Sequence, residues 1–367
     1  MSQEIVFTSA RHGLRTGSTG FCTVRSTRGM PGNLAQLLER LTAYTHMFDA
    51  YGDQANLNPV NFAHYIARLG EQRFHILARV SNAPLDHTNR SNKLAHLLAV
   101  DSSQLEKQLS EGPASESLRI PWVRDWSSDT APCVLPDEKQ IDLPLADQPK
   151  PGACHLWKEA TGDAGWAAEL ASSVGESSTP MQVILPRDAG SRPETWALQL
   201  VHEALSLVPP VNRWDVTYST FFGGNLPVSI NCQWQFILDG TDAAKRARLD
   251  PRAKTIDIPA IAAGKLPAPP NRLTALTVGT ARPWDHDRED SSIARRRTAS
   301  QRRSSRESWE AARERDGEEA EPQTRSQPAA GKPVSGNSRD FSGRRSEPRT
   351  GPLLLRPASM VIMVAAG

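Results

Sequence analysis

Hydrophobic and polar positions in the first part of the chain follow two periods. Residues 4–9 and 20–26 have the composition of strands, and the loop between them is rich in glycine. Leucines at helical spacing follow Asn33 up to about Tyr44, which predicts a helix with Asn33 as its N-cap. Residues 61–69 and 73–80 flank Gly70 and predict a hairpin of two strands with a short loop.

Residues 94–100 could form a helix by propensity, but the residues that follow favour a strand. The sequence "SQLE" at 103–106 is a capping box, which begins a helix at that point. We therefore expect a buried strand over 94–100 and a short helix over 103–109.

Three periodic stretches dominate the second half of the chain. Residues 194–208 are amphipathic at helical spacing. The stretches "RWDVTYSTFF" and "VSINCQWQFIL", at 213–222 and 228–238, alternate large apolar residues with polar ones, as half-buried strands do. Gly223 and Gly224 between them suit a tight loop, so an aromatic hairpin is expected here.

Together these elements predict an α+β protein of two mixed halves with antiparallel hairpins and a disordered tail. We expect an N-terminal subdomain over 1–111 and an irregular linker over 112–152. A second subdomain with the aromatic hairpin follows over 153–261. Residues 262–367 are expected to be a disordered linker and tail.

Charge and composition change sharply near the C-terminal end. Residues 282–349 contain sixteen Arg or Lys and thirteen Asp or Glu, with few large aliphatic residues. Such a segment cannot bury enough apolar surface to offset the entropy of ordering it. Without it and Arg356, residues 1–281 carry a net charge of about −2, against +2 for the whole chain. The mixed signs give no strong nucleic-acid signal.

The remaining composition excludes several classes of protein. Four cysteines without a C-x-x-C pair predict neither a metal site nor a disulfide framework, and no cofactor is expected. The N-terminus lacks the apolar region of a signal peptide, which favours a cytoplasmic location. The apolar run at 358–367 is too short for a stable membrane span. The loop "HGLRTGSTG" departs from a phosphate-binding loop in its glycine spacing and lacks the lysine.

The stretch "DHTNRSNKLAHLLAV", residues 86–100, contains the best catalytic candidates. Arg90 and Lys93 could hold a phosphate, His87 or His96 could transfer protons, and Asp86 could orient an imidazole. Against this, residues 86–92 are typical of a polar turn, and His96 lies between leucines as a core histidine would.

A second candidate site is the polar face of the predicted aromatic hairpin. Arg213, Asp215, Thr217 and Ser219 alternate with the apolar residues. They could be the solvated side of the sheet or a surface that binds a partner.

Six blocks, in order along residues 3–258, carry a resemblance to a known family. They are "SQEIVFTSARHGLRTGSTGFCTVRSTRGMPGNLAQLLERLTAY", "LNPVNFAHYIAR", "RSNKLAHLLAVD", "ATGDAGWAAEL", "RWDVTYSTFF" and "INCQWQFILDG". This combination resembles the N-terminal type-two domain of bacterial GTPase-associated proteins. The resemblance implies a component of a conflict system directed against invading elements, encoded beside a GTPase. It transfers no catalytic residues.

Two functional hypotheses follow. The first is a non-enzymatic adaptor or regulator that works with a nearby GTPase and with other conflict-system components. The alternative is a hydrolase or nuclease that uses the Arg90, Lys93 and His96 cluster. The C-terminal region departs from the family's longer pattern, as a truncated or frame-shifted gene would.

Overall fold

A computed structural model describes residues 2–105, 112–136, 154–175, 179–224, 226–227 and 230–278. The strands in these ranges are β1 (Ser2–Ala10), β2 (Gly20–Thr27), β3 (Asn61–Leu69), β4 (Gln72–Ala83), β5 (Asn92–Asp101), β6 (Cys133–Leu135), β7 (Met181–Leu185), β8 (Tyr218–Ser219), β9 (Trp234–Leu238) and β10 (Lys254–Asp257). The α-helices are α1 (Gly32–Arg40), α2 (Ser102–Leu105), α3 (Pro113–Arg119), α4 (His155–Thr161), α5 (Gly165–Ser172), α6 (Trp196–Ser206), α7 (Pro210–Arg213), α8 (Asp242–Leu249) and α9 (Ile258–Gly264).

All ten strands belong to one mixed sheet, in the order β10-β7-β9-β8-β3-β4-β5-β1-β2-β6. The strands β3, β4, β5, β1 and β2 are paired antiparallel, whereas β10, β7, β9 and β8 are parallel to one another. The predicted α+β class is therefore confirmed, as are the hairpin of β3 and β4 and the strand β5. Gly70, in the turn of that hairpin, has a φ of 63°, which glycine adopts without steric cost.

Side chains on the two faces of the antiparallel strands pack into different clusters, because successive residues of a strand point to opposite faces. One face packs Ile76 and Leu97 against Leu34 and Leu38 of α1. The other face packs Phe62, Leu77 and Leu98 into a larger cluster with residues of α3, α4, α5 and α6. This second face, called the inner face below, carries the side chains of the candidate site.

The predicted aromatic hairpin is wrong. β8 has two residues and runs parallel to β9, with Tyr218 opposite Trp234. The alternating pattern was read as one buried and one solvated face, but every residue from Val216 to Thr220 is buried. The polar residue Gln233 is half-buried, and its N–H and its side chain bond to Thr217.

Two further segments differ from the sequence expectation. Helix α3 and strand β6 lie within the predicted irregular linker, and residues 137–152 of that linker lie outside the described residues. In the predicted disordered segment, Thr277 accepts a hydrogen bond from the N–H of Cys154, and Asp163 accepts one from the N–H of Ala268. The charged tail and the apolar run at 358–367 lie outside the described residues. No helix in the described part of the chain is long and apolar enough to cross a membrane.

Candidate functional site

Asp86 and Arg90 belong to a turn that is organised by the Asp86 carboxylate. This side chain is fully buried and accepts hydrogen bonds from Ser9 Oγ, Thr88 N and Oγ1, and Arg90 N, Nε and Nη2. Burial alone would raise the pKa of Asp86, but these donors lower it well below its usual range. Arg90 is 60% exposed and has Asp86 as its partner. The pair holds the turn before β5 together.

Lys93 lies on the opposite face of β5 from His96, since the two residues are three positions apart on a strand. Its Nζ donates to the backbone oxygen of Thr42 at 2.6 Å and lies 5.6 Å and 5.5 Å from the ring centres of Phe7 and Phe21. Burial lowers the pKa of Lys93. The structure therefore does not bring Arg90, Lys93 and His96 together as one cluster.

His96 lies on the inner face and is 2% exposed. The N–H of Val123 donates to His96 Nδ1 at 3.1 Å, so Nδ1 is an acceptor and the proton of the neutral ring is on Nε2. His96 Nε2 lies 3.5 Å from Glu4 Oε1, and Trp122 contacts the ring edge-on at 5.2 Å between centres. Burial lowers the pKa of His96, and Glu4 only partly offsets this effect. The imidazole is therefore neutral near pH 7, with Nδ1 bonded to Val123 and Nε2 near the Glu4 carboxylate.

Glu4, on β1, connects His96 on the neighbouring strand β5 to the guanidinium group of Arg25 on β2. Arg25 Nη2 lies 2.7 Å from Glu4 Oε1. Burial raises the pKa of Glu4, but hydrogen bonding and charge from His96 and Arg25 outweigh this effect, so the pKa is lowered. Glu4 is therefore ionised and orients both neighbours.

Arg79 lies opposite His96 on the neighbouring strand β4, and its side chain is only 5% exposed. Its Nη2 donates to Glu194 Oε2 at 2.8 Å, and its Nη1 donates to the backbone oxygen of Val123 at 3.4 Å. Glu194 also lies 3.0 Å from Arg124. A buried arginine needs such partners, because an unpaired charge in the protein interior is costly.

His96, Arg79 and Glu194 all contact one segment without helix or strand, residues 120–126, which we call the strap. Its sequence is "IPWVRDW", and it crosses the inner face over His96 and Arg79. Trp122 is buried against Phe62, with ring centres 6.1 Å apart. Trp126 packs on the cluster of Val6 and Leu94. The strap covers a polar site that would otherwise face outward.

A second imidazole group lies on the same face. His64 Nδ1 donates to the backbone oxygen of Val216 at 2.7 Å, so His64 Nε2 must accept the hydrogen bond from His75 Nδ1 at 3.0 Å. The rings are parallel, and Trp214 contacts both edge-on. Burial, aided by the charge of Arg73, lowers the pKa of His75 to about 4, and burial with His75 nearby lowers the pKa of His64 well below its usual range. Both rings are neutral near pH 7.

The polar residues expected on the aromatic hairpin do not form one surface. Arg213 is buried and donates to two backbone oxygens: that of Ser206, at the end of α6, and that of Val208, two residues beyond it. Thr217 and Ser219 are also buried, at 5% and 1% exposure. Asp215 alone of the four is exposed, and it pairs with Arg73 at 2.7 Å. Of the four, Ser219 alone belongs to β8, an internal strand that pairs with β3 on one edge and with β9 on the other.

The residues that sequence reasoning missed are Glu4, Arg25, Arg79 and Glu194, together with the strap. A signal for Arg79 was present, because this arginine follows three apolar residues in the strand sequence "FHILARV". Glu194 and the strap carry no local signal that would link them to His96. Within the described part of the chain, no group of three or more His, Cys, Asp or Glu residues has the geometry of a metal site.

Comparison with known proteins gave matches to two domain families. Residues 1–141 match GTPase-associated protein 1, N-terminal domain type 2, and residues 154–260 match GTPase-associated protein 1, middle domain. Neither the curated proteins nor the solved structures contain a significant match. The two matched ranges follow one another and together cover more than half of the chain. The chain therefore belongs to the GTPase-associated protein 1 family and carries its type 2 N-terminal domain and its middle domain.

Proposed function

We propose that this protein is a non-enzymatic adaptor or regulator that works with a partner GTPase in a bacterial system acting against invading elements. The partner is the GTPase encoded near it, and the site of action is the cytoplasm. Other components of the same system are further candidate partners. The names of both matched domains support the association with a GTPase.

One observation supports a binding role over catalysis. The nitrogen Nδ1 of His96, which a general base would use, accepts a hydrogen bond from the strap. Arg79 is held by Glu194, and Lys93 and Arg90 lie elsewhere. The groups of the alternative hydrolase or nuclease are therefore bound to the chain itself and do not converge on a substrate.

The direct test is retention of the partner GTPase on the full-length protein. The GTPase is loaded with GDP or with a non-hydrolysable GTP analogue, and the amounts retained are compared. We expect retention to differ between the two nucleotide states, as it would for a regulator that distinguishes them. Absence of retention in both states, with both proteins folded by circular dichroism, would contradict the proposal.

The enzymatic alternative has its own test. His96→Asn replaces the imidazole by an amide whose oxygen can still accept the N–H of Val123. If His96 has no catalytic role and only accepts the N–H of Val123, the variant should retain the GTPase to the same extent as the original protein. Loss of a nuclease or hydrolase activity of the purified protein in this variant, with retention unchanged, would favour the enzyme.

The division into 1–111, 112–152 and 153–261 is also proposed as the functional organisation. The family ranges end at 141 and begin again at 154, which supports a boundary in this region. Limited proteolysis of the full-length protein tests it. A first cleavage between residues 137 and 153 would favour the division, and a first cleavage within β3 to β5 would contradict it.

A further inference from the structure

The strap is bound to the inner face in the way that an extended peptide is bound to a receptor. Val123 presents both its backbone groups to side chains of the sheet: its N–H donates to His96 Nδ1, and its oxygen accepts from Arg79 Nη1. In a regular strand these groups would bond to a neighbouring backbone. Here the sheet recognises one residue of the strap by two side chains from adjacent strands.

The aromatic and charged residues on either side of Val123 have partners of matching chemistry. Trp122 is 8% exposed and contacts Phe62 and His96 edge-on. Arg124, which is 67% exposed, lies 3.0 Å from Glu194. A buried aromatic anchor beside a charged pair at the rim is the usual arrangement of a peptide interface.

The carboxylate of Glu194 gives the face a preference for a basic ligand residue. Arg79 is bound to one of its oxygens, and the other is directed to Arg124. On the face itself Arg25 offsets Glu4, whereas the second oxygen of Glu194 is directed to a positive group at the rim, so a ligand without charge at the anchor and with one positive charge at the rim fits best.

We propose that Phe62, Arg79, His96 and Glu194 form a docking site for an extended segment of the partner GTPase, and that the strap occupies this site until the partner displaces it. The segment would have an aromatic residue followed two positions later by Arg or Lys. That the partner is a GTPase rests on the proposed function, whereas the docking site rests on the strap contacts alone.

A tethered strap is a strong competitor. A segment joined to its site by a short connection has an effective concentration in the millimolar range, so a free peptide of the same affinity binds only when the strap is weakened. The partner can overcome this because it contacts other surfaces as well. The proposal therefore predicts little peptide binding to the original protein and more to a protein with a weakened strap.

A labelled peptide with the sequence of residues 119–127, "RIPWVRDWS", is the probe. It is titrated by fluorescence anisotropy against the full-length protein and against the double variant Trp122→Ala with Arg124→Ala. We expect the double variant to bind the peptide at least about tenfold more tightly, because the substitutions remove the anchor and the rim contact of the strap. Equal affinity, with both proteins folded, overturns the proposal.

Two controls separate the docking site from general exposure of apolar surface. The variant Trp166→Ala with Arg252→Ala makes the same chemical changes away from the strap and should bind the peptide as the original protein does. A second peptide carries alanine in place of Trp122 and glutamate in place of Arg124, and it should bind the weakened protein at least about tenfold more weakly. Equal binding of both peptides overturns the proposal.

Should the double variant fail to fold, hydrogen exchange on the unmodified protein gives the answer. Peptide at millimolar concentration, which matches the effective concentration of the strap, should speed the exchange of the Val123 amide by releasing it from His96, and an unchanged rate overturns the proposal. Capture of the GTPase separates the two proposals. If the peptide binds but the GTPase is not captured, the docking site stands and the proposal that the partner is a GTPase is overturned. If the GTPase is captured and the peptide does not inhibit this capture, only the proposed docking site is overturned.

Discussion

The buried pair of His64 and His75 should make the protein lose stability in mild acid. In the unfolded chain an imidazole has a pKa near 6.5, whereas burial lowers that of His75 in the folded protein to about 4. Between these two values the unfolded chain binds a proton that the folded protein refuses, so stability falls as the pH falls. One unit of pKa corresponds to about 1.4 kcal/mol, so His75 alone accounts for a loss of about 2–3 kcal/mol between pH 7.5 and 4.5.

The measurement is urea unfolding of the full-length protein at several pH values between 7.5 and 4.5. In His75→Asn the side-chain amide can still donate to His64 Nε2, but the titrating group is gone. We expect the variant to be less stable at pH 7.5 and to lose about 2–3 kcal/mol less than the original protein on acidification. His12→Asn, at an exposed histidine, is the control and should keep the original pH dependence. An unchanged pH dependence in His75→Asn would refute the reasoning.

Three further substitutions test local features, each by urea unfolding at pH 7.5. Asp86→Ala should cost about 2–3 kcal/mol, because it leaves buried donors of the turn without their acceptor, and a loss below about 0.5 kcal/mol would contradict that role. Thr241→Ala should cost about 1 kcal/mol, since Thr241 Oγ1 caps α8 by accepting from the N–H of Ala244, whereas Thr241→Ser should be nearly neutral. Gly112→Ala should cost at least about 1 kcal/mol, because Gly112 has a φ of 92° and a new Cβ would lie 2.9 Å from Arg213 Cβ; a neutral result would show that this turn can relax.

Most of the antiparallel strands could be predicted because their signal is local. The hairpin of β3 and β4 has a short glycine turn between two periodic stretches, so neighbouring residues determine both strands and their pairing. The direction of β9 relative to β8 has no such signal. It depends on the path of the residues between them, and an alternating pattern is the same for a parallel and an antiparallel neighbour.

The candidate site was predictable only in part. His96 was singled out correctly as a buried histidine on a strand, but the cluster with Lys93 and Arg90 used a spacing of three residues, which brings side chains together on a helix and separates them on a strand. The groups that actually contact His96 come from distant parts of the chain. Val123 follows it by 27 positions and reaches it with a backbone N–H, which no residue type encodes.

The position of β8 in the sheet has a consequence for synthesis of the protein on the ribosome. β3 has nine residues, and its outer side pairs with β8, where 158 positions separate Phe62 from its hydrogen-bonding partner Thr220. The five antiparallel strands can assemble once β5 has emerged, but β3 then remains an open edge until the ribosome has added well over a hundred further residues. An open edge of this length pairs readily with another chain. The nascent chain is therefore most prone to aggregation in this interval, and a chaperone that covers β3 until β8 arrives would raise the yield of folded protein.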